Sequence, residues 1–199
     1  MSKSLKRQSE DDAGNEAKKP VVGHWANGLL TAMEDPNLRI FSDSKVVVIK
    51  DKYPKAKFHF LVLPKKSIPN LSSITSKHIK LLQHIHDVGR EIAEREEHKN
   101  INFRMGYHAE PSMHHLHMHV ISDDFDSDSL KTKKHYNSFV TAHFIDSEKL
   151  IESVKTVGKA VTPSREECQK LLKKPLACFK CGEEMANMPK LKKHFTTHI

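Results

Sequence analysis

The sequence predicts an α+β fold: an antiparallel-sheet domain with flanking helices, followed by a small C-terminal appendage. Strand-like apolar runs crowd the middle of the chain too closely for a regular alternation of strands and helices. One long segment, residues 76–97, keeps a single apolar face at helical spacing. The region from residue 161 onward holds all three cysteines, two of them in one C-x-x-C. These features divide the 199 residues into a tail (1–22), a main domain (23–160), and a linker helix with the appendage (161–199).

Residues 1–22 are polar and charged, with almost no large apolar side chains to offset the entropy of ordering, and read as a disordered tail. The basic pairs Lys6-Arg7 and Lys18-Lys19 have the spacing of a bipartite nuclear address. Residues 24–33 carry the only tryptophan, Trp25, and read as a short amphipathic helix ending before Asp35-Pro36. Residues 45–50 (KVVVIK) and 57–63 (KFHFLVL) are rich in β-branched and aromatic side chains and read as strands, with the turn-prone DKYPKA between them. In 76–97 the helical stripe is Leu81, Leu82, Ile85, Val88 and Ile92. Residues 101–107 and 115–122 alternate as strands, and 139–144 is a further strand candidate. Helices over 147–157 and 164–172 lead to the appendage.

Composition limits the function classes. Lys+Arg 33 against Asp+Glu 25 leaves a formal net charge of +8 and a pI near 9.3. An enzyme of small neutral metabolites needs no such excess, so a polyanionic partner is expected. With 37% hydrophobic residues and a mean hydropathy of −0.59 there is apolar material for one modest core. No apolar run approaches the ~18 residues of a membrane span, and MSKSLKRQSEDD lacks the apolar segment of a secretory signal. An odd number of cysteines argues against a disulfide scaffold and for a reducing compartment. Membrane, secreted and collagen-like classes are excluded on these grounds.

The unusual feature of the composition is its 15 histidines. Three of them form His115-Leu116-His117-Met118-His119, which on a strand puts the imidazoles on one face at steps of about 6.6 Å. On a helix the middle ring would point away from the other two. Three uses compete: a histidine-lined surface strand, a metal site, or a phosphate-processing site in which one imidazole attacks phosphorus. Zinc needs its nitrogens at about 2.0–2.1 Å in a tetrahedron, which three rings along a straight strand hardly supply, although two could.

The pattern H-φ-H-φ-H-φ-φ resembles the signature of the histidine triad hydrolases and transferases. The flanking KDKYPKAKFHFLVLP (50–64), GYHAEPSM (106–113), DFDS (124–127) and KKHYNSF (133–139) are similar to the members of that family that remove adenylate from DNA 5′ ends. The likeness covers roughly residues 23–198. It implies that His117 is the nucleophile, attacking the α-phosphorus of AMP joined to a DNA 5′-phosphate and passing through a covalent AMP-histidine. A neutral imidazole suits that role, since its unperturbed pKa is about 6.5, and covalent catalysis splits one hard displacement into two easier ones.

By the same resemblance His115 orients His117 through its other ring nitrogen, as the third member of a triad does. His119, His108 and His59 surround the phosphates, and which of them protonates the leaving group stays open. Ser112 with Met113, Asp51 with Lys52, Tyr53, Pro54 and Lys55, and Lys134 are implied as nucleotide- or DNA-binding residues, Asp51 accepting from the ribose hydroxyls. No metal is expected at the triad. Trp25 on its helix is expected to stack on a terminal base pair. Some relatives carry a phosphopeptide-binding forkhead-associated domain before the catalytic part; 22 residues leave no room for one, so phosphorylated scaffolds are not expected as partners.

The appendage reads Cys178-x2-Cys181-x12-His194-x3-His198, two thiolates and two imidazoles at the spacing of a tetrahedral zinc site. Pro189 suits the first turn of a helix that presents both histidines on one face. From Lys170 onward seven lysines face two glutamates, which favours contact with a phosphate backbone. The expected protein is thus a nuclear DNA-repair hydrolase acting on nicked or double-stranded DNA ends, with RNA–DNA junctions as further targets and structural zinc as its cofactor. Two other readings stay open: a general nucleotide phosphoramidase of the same family, and a catalytically silent nucleic-acid-binding module.

Overall fold

The computed structural model describes residues 28–198. The tail with its basic pairs, and Trp25, lie outside the described residues.

Among the described residues six antiparallel strands form one sheet: β1 (Arg39–Ser42), β2 (Val46–Lys50), β3 (His59–Pro64), β4 (Phe103–His108), β5 (Met118–Ser122) and β6 (Phe144–Asp146), in the order β1-β2-β3-β5-β4-β6. Period-two alternation sends each strand's side chains to two faces, and both faces are covered. On one, Val46, Val48, Phe60, Val62, Met118 and Val120 pack against Leu82, Ile85, Val88 and Ile92 of α2 (Ile79–Ala93) and Leu150, Ile151 and Val154 of α4 (Ser147–Val157). On the other, Val47, Ile49, Leu61 and Leu63 pack under Leu29 of α1 (Gly28–Glu34). β4 and β6 come so close that a Cβ on Gly106 would stand 2.4 Å from the carbonyl oxygen of Ile145. Only glycine fits there.

A second core begins where that same face continues toward the C-terminal unit. Ile121, Phe125, Leu130, Tyr136, Phe139 and Phe144 pack with Leu176, Met188, Leu191 and Phe195 of the appendage. Between them runs α3 (Lys133–Val140), and α5 (Arg165–Lys173) and α6 (Met188–Phe195) follow. α3 is clasped from the appendage side: Tyr136 Oη donates to the Ala177 carbonyl at 3.0 Å and accepts from the Phe179 N–H at 3.1 Å. Asn137 Nδ2 donates to the carbonyls of Leu172 and Lys174.

Three expectations about elements are corrected. The strand expected over 139–144 is the end of α3 followed by β6; Thr132 caps the helix by accepting from the His135 N–H, and Tyr136, Phe139 and Val140 form its apolar face. The strand expected from residue 115 begins only at Met118, because the N–H groups of His115 and Leu116 bond to Pro69 and Ile68 instead of joining the ladder. β1, before β2, was not expected. The helix expected over 76–97 is shorter, a single 3-10 turn (Ser76–His78) leading into α2.

Candidate active site

The sequence places imidazoles on neighbouring strands, and the antiparallel register converts that into a cluster. β3 and β5 pair Leu61 with His119 and His59 with Ile121, so His59 and His119 share the face opposite α2. β4 brings His108 beside them, its ring centroid 4.3 Å from that of His119. His117 arrives on the segment entering β5, 5.0 Å from His119 by the same measure. These rings floor a cavity of about 530 Å³ whose wall includes Asp51, Tyr53, Lys55, Ser112, Met113 and Lys134.

Hydrogen bonds assign the protons. His117 Nδ1 lies 2.8 Å from the His115 carbonyl, which can only accept, so Nδ1 carries the hydrogen and a neutral ring keeps its lone pair on Nε2. The Lys55 N–H donates to His59 Nδ1 at 3.2 Å, so the His59 proton sits on Nε2 and is given to His119 Nδ1 at 2.9 Å. That forces the remaining proton of His119 onto Nε2, which is buried and meets no partner. Asp51 Oδ1 accepts from the Tyr53 N–H at 2.7 Å and shapes the turn, while Oδ2 stands 3.6 Å from His59 Nδ1, too far for a hydrogen bond.

Burial keeps the rings neutral. It lowers His59 to about 4, partly opposed by the charge of Asp51. It pushes His108 and His119 well below the ordinary imidazole value, helped by the neighbouring rings. For His117 burial again dominates, with the hydrogen bond to His115 and the Asp51 charge pulling the other way. Lys55 is lowered by burial, with Asp51 opposing.

His115 departs from its expected part. Its backbone is left-handed, with φ +82°, an uncommon conformation for a non-glycine residue. It is the carbonyl, not the ring, that holds His117. The His115 ring reaches back to the Pro64 carbonyl at 2.7 Å and pins the segment to the end of β3. Lys52 is exposed and does not line the cavity, with its ammonium 5.9 Å from the centre of the Tyr53 ring. Pro54 lines a neighbouring groove with Lys57 and Phe58. Glu110, His135, Ser138, Phe139, His143 and Gln169 line the cavity without having been expected. A capped helix signal at Thr132 could have revealed the three from α3; Glu110 stands inside the GYHAEPSM segment between His108 and Ser112, while Gln169 and His143 meet the site only through α5 and the segment before β6.

In the appendage the four predicted ligands converge, their ligand atoms all within 4.8 Å of one another. Cys178 Sγ lies 3.3 Å from His198 Nε2, Cys181 Sγ 3.2 Å from His194 Nε2, and the two Nε2 atoms 3.0 Å apart. A tetrahedral zinc with the usual bond lengths sets such edges at about 3.3–3.6 Å, so the donor set fits the ion. α6 supplies the rigidity: Asn187 caps it by accepting from the Lys190 N–H, and Pro189 sits in its first turn. The lysines of this region are not all available to a partner, since Lys192 Nζ donates to the Ser127 carbonyl and Lys170 pairs with Glu166.

The sheet, its floor of histidines and the four-ligand finger define a histidine-triad domain joined to a zinc-binding finger. Residues 24–135 match the family described as scavenger mRNA decapping enzyme C-term binding, and residues 140–199 match the C2HE / C2H2 / C2HC zinc-binding finger. The chain is 48% identical to aprataxin of Gallus gallus over 93% of its own length and 58% of that protein's. It is 33% identical to an aprataxin-like protein of Saccharomyces cerevisiae, covering 80% of this chain and 88% of that one. A crystal structure of the aprataxin ortholog Hnt3 in complex with DNA superposes with a TM-score of 0.69 at 25% identity, over 87% of this chain and 92% of that one. The chain belongs to the aprataxin family. It spans little more than half the length of the Gallus gallus protein.

Proposed function

We propose that this protein is a DNA-repair hydrolase that removes AMP from adenylated 5′-phosphate DNA ends through a covalent AMP-histidine intermediate. The observation that carries this is the tautomer of His117: the His115 carbonyl holds the proton on Nδ1 and leaves the Nε2 lone pair at the floor of the cavity. In the first step Nε2 attacks the α-phosphorus, the P–N bond forms, and the bond to the oxygen of the DNA 5′-phosphate breaks. In the second, water attacks the same phosphorus, the P–N bond breaks, AMP departs, and His117 is restored.

His119 is the best-placed hydrogen-bond donor to the leaving oxygen, because its Nε2–H is buried and unpartnered while His59 occupies Nδ1, and the DNA 5′-phosphate departs as the anion. His59 is a positioning residue acting through His119. His108, Ser112, Lys55 and Lys134 offer donors and charge to the phosphate oxygens. Asp51 keeps Oδ2 for the ribose hydroxyls, with Tyr53 and Met113 beside the nucleoside. His115 serves through its backbone; Lys52 and Pro54 belong to the DNA path outside the main cavity. The finger's zinc would be held by Cys178, Cys181, His194 and His198 and supplies structure, not chemistry.

DNA as the partner is supported by the net charge of +8 and by the aprataxin ortholog solved with DNA. RNA–DNA junctions belong to the same substrate class, and a nuclear location follows from the substrate. We further propose that residues 23–160 form the catalytic unit and 161–199 the linker helix and finger, with 1–22 a tail.

The test incubates wild type and His117→Ala with a nicked duplex carrying a labelled 5′-adenylate, beside AMP-lysine at matched concentration. The expected result is AMP released faster from DNA than from the amine, and lost by about a thousandfold or more in the variant. Preference for the amine would make the protein a general phosphoramidase. DNA binding without release from either substrate would make it a binding module.

A further inference from the structure

A folded chain rarely leaves buried polar atoms without partners, and each one that it does leave calls for a reason. Among the described residues, six buried side-chain polar atoms have none, and four of the six are imidazole nitrogens: His119 Nε2, His108 Nε2, and both nitrogens of His143. These rings stand in one row. From His117 the centroids step 5.0 Å to His119, 4.3 Å to His108 and 5.2 Å to His143. The first three are motif residues; His143 belongs to no motif in the sequence, and it enters from the short segment between α3 and β6.

His143 is 2% exposed and lines the cavity together with Ser138, Lys134, Glu110 and Gln169. The carbonyls of Ser138 and Glu110 lie near enough to its ring to favour the protonated form, yet neither meets a ring nitrogen in hydrogen-bond geometry. Burial is the larger influence and keeps the ring neutral, with one N–H to donate and one lone pair. Packing alone gives no reason for a histidine here, since a phenyl ring would fill the same space without stranding two polar atoms. The carboxylate at this end does not repel an anion strongly, because Glu110 is engaged by Arg165 Nε at 3.1 Å and Gln169 Nε2 at 3.0 Å. The ammonium of Lys134 stands on the same wall.

We infer that His143 is a further binding residue of this cavity, extending the histidine row so that His108, His143 and Lys134 together take a phosphate monoester, the 5′-phosphate of the departing nucleic-acid strand. This rests on the AMP-transfer reading given above. It accounts for the direction of the row: Asp51 stands beside His59, next to the ribose, and the unpartnered nitrogens lead away from His119 past His108.

The experiment uses the full chain as wild type, His143→Phe and His143→Gln. It measures kcat/KM on the 5′-adenylated nicked duplex and on AMP-lysine, whose leaving group has no phosphate, and the thermal midpoint of each variant. His143→Phe is expected to lower the ratio of the two kcat/KM values by about tenfold or more, with the midpoint unchanged or raised, and His143→Gln to restore part of the ratio. An unchanged ratio in a folded His143→Phe overturns the inference. So does a lowered midpoint with both substrates lost in proportion, which is the signature of a packing residue. Wild type inactive on both substrates would remove the AMP-transfer reading and this inference with it, whereas normal wild-type activity with an unmoved ratio removes the inference alone.

Binding gives a measurement that needs no turnover and serves if His143→Phe does not fold. Wild type should prefer a nick ending in 5′-phosphate over one ending in 5′-hydroxyl, and His143→Gln should lose at least about threefold of that preference. An undiminished preference in the glutamine variant overturns the inference.

Discussion

Which nitrogen of each imidazole carries the proton decides what the ring can do, and here the backbone makes that choice. The His115 carbonyl fixes His117 with Nε2 free, and the Lys55 N–H fixes His59, which in turn fixes His119. Burial then keeps these rings in the uncharged state in which a lone pair remains to attack. A consequence is testable in the pH dependence of catalysis. Because the pKa of His117 is lowered from the 6.5 of a free imidazole, the neutral nucleophile persists as the pH falls through that value. The acid limb of kcat/KM for AMP release should therefore lie below pH 6.5; a limb centred at or above it would mean that His117 is not held neutral in the free enzyme. The left-handed His115 is the local cost of this arrangement, of the order of 1–3 kcal/mol. The pattern H-x-H-x-H showed that the rings cluster, but not that His115 would contribute its carbonyl; that depends on a backbone angle which alternation does not encode.

The element on which the site depends most is α3. One side of it supplies Lys134, Ser138 and Phe139 to the cavity, and the other is gripped by the finger through Tyr136 and Asn137. Replacing Tyr136 with Phe leaves the half-buried Ala177 carbonyl and Phe179 N–H without their shared partner and should cost about 1–3 kcal/mol in chemical denaturation. A change below about 0.5 kcal/mol would show that water satisfies both groups. Stripping zinc with a strong chelator, or substituting Cys178→Ser, should unfold the finger and lower AMP release with it, because Leu191 and Phe195 share a core with Phe125, Tyr136 and Phe139. Activity that survives loss of the finger's structure would show that the cavity wall stands alone. The sheet has its own sensitive point: Gly106→Ala drives a methyl into the Ile145 carbonyl and should destabilise by about 1–3 kcal/mol, read as a lower thermal midpoint. α3 went unread in the sequence because KKHYNSFV has a short apolar face that follows a helical period only once its partner in the finger is known.

For the whole molecule, the buried histidines link stability to pH. His59 is lowered to about 4, and His108, His117, His119 and His143 are lowered as well, burial being the largest cause in each. Below 6.5 the unfolded chain binds protons that the folded chain refuses, so stability is full above 6.5 and is lost as the pH falls from there toward about 4. Each such proton contributes about 1.4 kcal/mol per pH unit, and denaturation at pH 5 against pH 7 should show a loss of at least about 2 kcal/mol. Equal stability at the two pH values would mean that these rings already protonate in the folded state. The sequence by itself determined the mixed fold, the apolar face of α2, the helix at α4, the four zinc ligands, and most of the cavity's residues, because those features are local: a period, a spacing, a motif. Only the tertiary structure decided that His115 acts through its backbone, that α3 is a helix gripped by the finger, and that Glu110, His143 and Gln169 complete the wall. Those outcomes depend on which apolar faces meet, and faces far apart in the chain are brought together by burial of shared surface that no single stretch of sequence records.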